Sequence, residues 1–172
     1  MRKIYLGLCC IACVFLTLTR CEKKASAPGI EAELAEAQKQ NEEAFITQLQ
    51  THLNAVSSKD LATLQSTLSP NGNMELILPD QEIIYTTAGF IQFHETWFKD
   101  ASWRFSTEIL GVVIGERFGA ATTEILYEEP ERNGQPYFNR MIVTYTLEKI
   151  NGTWYIIKDH ASSIEKTPTE TP

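Results

Sequence analysis

The sequence predicts an α+β domain in which helices come first and pack on one face of a curved, mainly antiparallel sheet. Three observations predict it. Apolar residues recur at helical spacing between Ile30 and Leu68, four long runs of strand formers follow Trp103, and Asn151-Gly152 joins the last two runs as a strong hairpin signal.

From Ile30 to Val56 the chain is rich in Ala, Glu and Gln, and Phe45, Leu49, Leu53 and Val56 form one apolar stripe for the core. A short second helix with Leu61, Leu64 and Leu68 follows, with Ser58 available as N-cap and Ser69-Pro70-Asn71-Gly72 as its end. Met74 to Leu78 and Glu82 to Tyr85 read as short strands around the turn Pro79-Asp80-Gln81. Thr87 then caps a third helix running to about Lys99, whose broad face carries Phe90, Phe93, His94, Trp97 and Phe98. The remaining strands are Trp103 to Ile114, Phe118 to Glu128, Tyr137 to Lys149 and Thr153 to Ile164. They are separated by the turn Gly115-Glu116-Arg117, a loop around Pro130 to Pro136, and Asn151-Gly152.

The ends of the chain read differently. Arg2 and Lys3 precede 16 uncharged residues, Ile4 to Thr19, so residues 1–20 are expected to be an export signal, cleaved or kept as an N-terminal anchor. Residues 21–29 suit a tether, 30–165 the folded domain, and 166–172 a disordered tail. Leu18-Thr19-Arg20-Cys21 is similar to the bacterial lipobox, although Arg20 stands where that pattern has Gly, Ala or Ser. The likeness implies lipidation at Cys21 and an extracytoplasmic protein of the bacterial cell envelope, held on the membrane by its N-terminus.

All four cysteines lie in the first 21 residues, so the domain has no disulfide and no thiol ligand or nucleophile. With Arg2, Lys3 and Arg20 set aside, 22 acidic residues face 12 basic ones, a net charge of −10. That charge excludes nucleic acid as a natural partner, because such binding needs clustered cations. His52, His94 and His160 are too scattered for a metal site, and there is no Gly-rich phosphate loop, so neither metal nor cofactor is expected.

The order helix, helix, short strands, aromatic helix and four long strands ends in Gly152-x-Trp154-x-Ile156-x-x-Asp159-His160-x-Ser162. With Arg140, Thr144 and Asn151-Gly152, this ending resembles the SnoaL-like, ketosteroid-isomerase-like branch of the nuclear transport factor 2-like superfamily, over about residues 42–164. The resemblance implies a cone-shaped, cystatin-like fold with a pocket at the wide end and homodimerisation through the outer face of the sheet. It leaves function open, since that pocket serves isomerases, dehydratases and domains without catalysis.

Strict strand alternation puts His160 and Ser162 on the face of Trp154 and Ile156, and Asp159 on the other. Facing a pocket, His160 and Ser162 would hydrogen-bond a ligand, and His160 is a weak candidate for a catalytic base; facing neighbouring backbone, His160 would be structural. Arg140 and Thr144 share one strand face, and Arg140 would grip an anionic ligand there or pair with a surface carboxylate. Trp97 and His94 are placed near the opening, other aromatics in the core, and His52 in a structural or exposed position. Ser69-Pro70-Asn71-Gly72-Asn73 stands where SnoaL-like chains commonly carry an acidic pair. These residues favour a non-catalytic domain holding a small, partly apolar ligand of unidentified structure. An isomerase, cyclase or dehydratase, with Tyr145 or Arg140 as electrophilic support, and a dimeric interaction module are the alternatives.

Overall fold

The computed structural model describes residues 28–168. The expected signal, Cys21, most of the tether and residues 169–172 lie outside the described residues. Helix α1 (Pro28–Ser58) is followed by α2 (Leu61–Ser66), strands β1 (Asn73–Ile77) and β2 (Ile83–Thr86), helix α3 (Thr87–Trp97), and the meander β3 (Arg104–Ile114), β4 (Phe118–Arg132), β5 (Gln135–Ile150) and β6 (Thr153–Lys166). The six strands form one curved sheet in the order β2-β1-β6-β5-β4-β3, antiparallel throughout except where β1 lies parallel to β6. The α+β reading of the sequence is thus met.

The apolar stripe of α1 sits on the concave face of the sheet. Phe45, Leu49, Leu53 and Val56 are all buried, and Phe45 meets Trp154 edge-on with ring centroids 5.2 Å apart. Each such side chain contributes about 1.5–3 kcal/mol by leaving water. Gly119 is required where α1 crosses β4, since a Cβ there would lie 2.5 Å from the Phe45 ring. Residues 29–40 of α1, by contrast, are exposed, and the helix first touches the sheet at Asn41, which donates to the Gly115 carbonyl and accepts from Lys149.

Several boundaries differ from the sequence reading for local reasons. The chain leaves α1 through Lys59, in the left-handed region at φ 60°, with Asp60 N–H donating to the Ala55 carbonyl. Ser58 is therefore still helical, and Asp60 caps α2 by accepting from Thr63 N–H. Thr86, not Thr87, caps α3, accepting from Gly89 N–H. The expected loop from Pro130 to Pro136 is instead a continuation of both strands into a tight turn at Asn133-Gly134, both at positive φ, with Arg132 paired to Gln135. Pro130 is tolerated because the ladder is irregular between Glu129 and Arg132.

The decisive irregularity is in β6. Leu147 pairs with Ile156, but the next residue of β5, Thr146, pairs with Lys158, leaving Ile157 as an extra residue. Such a bulge advances one strand by a residue and reverses the facing of everything beyond it. Trp154 and Ile156 are buried, and beyond the bulge it is Asp159 and Ala161 that continue their face, while His160 and Ser162 are exposed.

Candidate functional site

A cavity of about 460 Å³ opens between α1, α3 and the concave face of the sheet. Its size suits a small organic molecule. Val56 lines it from α1, Phe93, His94 and Trp97 from α3, and Leu76, Ile125, Val143, Tyr145, Asp159 and Ala161 from the sheet. Asp159 lies in a central strand, flanked by Leu76 of β1 and Tyr145 of β5. On a shared face, directly opposed side chains stand about 5 Å apart at Cβ.

Asp159 is the chemically distinctive group. It is 8% exposed, and burial alone pushes its carboxyl from 3.8 up to about 7, with no cation or hydrogen bond acting against that rise. Burial, reinforced by the negative charge of Asp159, also raises Tyr145 well above the ordinary phenol range, so its hydroxyl keeps its proton. A carboxyl that titrates near neutrality beside a protonated phenol can accept a proton or a ligand's hydrogen bond.

His94 is 4% exposed, and its Nδ1 lies 2.9 Å from the Phe90 carbonyl. A carbonyl only accepts, so the proton is on Nδ1 and Nε2 is left as an acceptor. Burial lowers its pKa to about 4, and the ring is neutral at pH 7. His52 is likewise neutral, lowered to about 3 chiefly by burial. Its Nδ1 lies 2.7 Å from Thr67 Oγ1, and Thr67 in turn donates to the Leu64 carbonyl. His52 is thus structural.

Toward the other end of the cavity, Tyr127 donates to Glu129 at 2.6 Å, Arg132 is paired with Glu129, and the Arg132 guanidinium lies 3.5 Å over the Tyr137 ring. Six residues of β5 separate Tyr145 from Asn139, or about 20 Å of strand. Asn139 is buried with its Oδ1 unpartnered, and the Oγ of Ser163 is also unpartnered. The cavity is therefore elongated, with Asp159 and Asn139 far apart along it.

Of the residues singled out from sequence, Trp97 and His94 line the cavity. His160, Ser162, Arg140 and Thr144 do come together, but on the outer face. Thr144 is paired with His160, Ile142 with Ser162, and both Thr144 and His160 are exposed. Arg140 pairs with Glu165 at 2.9 Å and Glu124 at 3.6 Å, as a surface arginine does. The pocket placement of these four is corrected. The bulge at Ile157 turns His160 and Ser162 outward, and on β5 the inward set is Tyr137, Asn139, Met141, Val143, Tyr145 and Leu147. The carboxylate sought near Ser69 to Asn73 is supplied by Asp159 instead.

The family model for the SnoaL-like domain matches residues 45–165, the whole span from the docked part of α1 to the end of β6. The chain belongs to the SnoaL-like domain family. Among solved structures, this SnoaL-like domain is similar to a putative dehydratase of the NTF2-like family from Streptomyces avermitilis, with a TM-score of 0.64 and 13% identity over 74% of this chain and 99% of that one. It also resembles a ketosteroid isomerase-like protein from Erwinia carotovora atroseptica, with a TM-score of 0.62 and 15% identity over 72% and 95% of the two chains. The association domain of C. elegans CaMKII follows, with a TM-score of 0.54 and 25% identity over 74% and 96%. These likenesses establish the fold, and cystatin-like neighbours agree with it. No curated protein matches the chain.

Proposed function

We propose that this SnoaL-like domain takes up a small, partly apolar molecule in its cavity and holds the molecule's polar end against Asp159. One observation carries the reading: a buried carboxylate on the cavity wall with neither a cation nor a hydrogen bond supplied by the protein. Leaving such a group unpaired is costly, and a ligand is the natural source of its partner. A thermal-shift screen of small amphiphiles tests it. At least one should raise the Tm of the native protein and not that of Asp159→Leu; a screen with no stabiliser for either would sink the reading.

A second reading, proton transfer of the isomerase or dehydratase type, is favoured by the carboxyl near pKa 7 beside the Tyr145 phenol. Asp159 would be its base, not His160, which is exposed. Deuterium exchange at the α-carbons of cyclic enones, followed by NMR, is expected only with Asp159 intact; the same rate in Asp159→Asn would exclude that role.

The reading retains export, lipid attachment at Cys21 and a homodimer formed through the outer face of the sheet. On that face Leu110 and Val113 of β3 are exposed, at 51% and 78%. Incorporation of labelled palmitate that persists in Cys21→Ser would refute the attachment site.

A further inference from the structure

The charge inventory of the cavity goes further and, resting on the reading just given, narrows the ligand class. Its ionisable lining outside the tyrosines is Asp80, Glu82, His94, Arg132, Asp159 and Lys166. Of the two cations, Arg132 is already committed to Glu129 and to the Tyr137 ring. Lys166 is the last residue of β6, seven beyond Asp159 and so about 20 Å along the strand. His94 offers an acceptor at Nε2 and no charge. The Asp159 end of the cavity thus presents acceptors and negative charge, and no cation.

Aromatic faces complete the environment. Trp97 stands with its ring centroid 5.7 Å from Tyr127, 5.8 Å from Phe105 and 6.0 Å from Phe93, forming a continuous wall beside the same cavity. A ring face attracts a cation, more strongly where water is excluded. An anion at this end would meet the carboxylate with no counter-charge. A neutral molecule would leave the ionised carboxylate unpaired. An ammonium group supplies both the missing charge and the missing donors.

We infer that the ligand is a hydrophobic amine whose ammonium group pairs with Asp159 while its apolar body lies along Trp97, Phe105 and Tyr127. The test is displacement of the neutral fluorophore N-phenyl-1-naphthylamine at pH 8, with 2-naphthylmethylamine, 2-naphthylmethanol and 2-naphthoate as competitors of one size. The amine should displace the fluorophore at about one-tenth the concentration the alcohol needs, and the carboxylate should be weakest. In Asp159→Asn, checked for folding by circular dichroism, the fluorophore should still bind and the amine's advantage should vanish. An alcohol as effective as the amine, or an advantage that survives Asp159→Asn, overturns the inference and leaves the apolar cavity standing. A fluorophore that does not bind the native protein overturns the inference together with the reading it rests on.

Discussion

Replacing Asp159 by Asn should stabilise the ligand-free protein, and the gain should depend on pH. In the folded state the carboxyl titrates at about 7 instead of 3.8, so between these values the native chain holds a proton the unfolded chain has released. Stability contributed by such a raised carboxyl is complete below pH 3.8 and lost as pH rises through 7. At 1.36 kcal/mol per pH unit, the whole displacement amounts to about 4 kcal/mol. Asn matches Asp in shape and has no charge to desolvate. Urea denaturation of both proteins from pH 3.5 to 8.5 gives the difference directly, and subtraction removes the opposite trends of Asp60, Asp100 and Glu129, whose carboxyls are held low by hydrogen bonds. The variant's advantage should be near zero at pH 3.5, grow with a slope approaching 1.36 kcal/mol per pH unit, and level off above pH 7. Parallel stability curves would refute the assignment of a buried, unpaired carboxylate.

Three further outcomes follow from the packing. Ala161→Leu adds three carbons inside the cavity beside Asp159, so it should abolish the stabilisation by ligand seen in thermal shift while the urea midpoint changes little. Single alanine replacements of His160, Ser162 and Arg140 should leave ligand affinity within about twofold. The stability change for Arg140, measured by urea titration, should stay within about 1 kcal/mol, as expected for exposed ion pairs. Gly119→Ala forces a methyl group into the Phe45 ring and should cost about 1–3 kcal/mol in the same titration.

The fold was legible because its main signals are redundant. The stripe Phe45, Leu49, Leu53 and Val56 and the turn at Asn151-Gly152 each point to one local structure, and packing agrees with them. The site was not, because facing depends on counting residues along β6, and a single unpaired Ile157 makes the count wrong from there on. Two adjacent isoleucines give no sign of which is unpaired. On β5 a usable signal was present: the odd-numbered positions from Met141 to Leu147 are the more apolar set, which puts Thr144, and Arg140 with it, on the outer face. His94 and Trp97 were placed correctly because α3 has no irregularity to disturb its period. The missing loop at Pro130 to Pro136 shows that proline marks a break only where the ladder needs its N–H.

Helix α1 has a mechanical consequence beyond the site. Its first dozen exposed residues form no part of the globule, yet they are helical and stiffened by surface pairs such as Gln40 with Glu36 and Lys39 with Glu43. At 1.5 Å per residue they project about 18 Å before the sheet is reached. Chain preceding Pro28 is therefore joined through a rigid spacer, and inserting or deleting one helical turn would change that stand-off by about 5 Å while rotating the domain little about the helix axis.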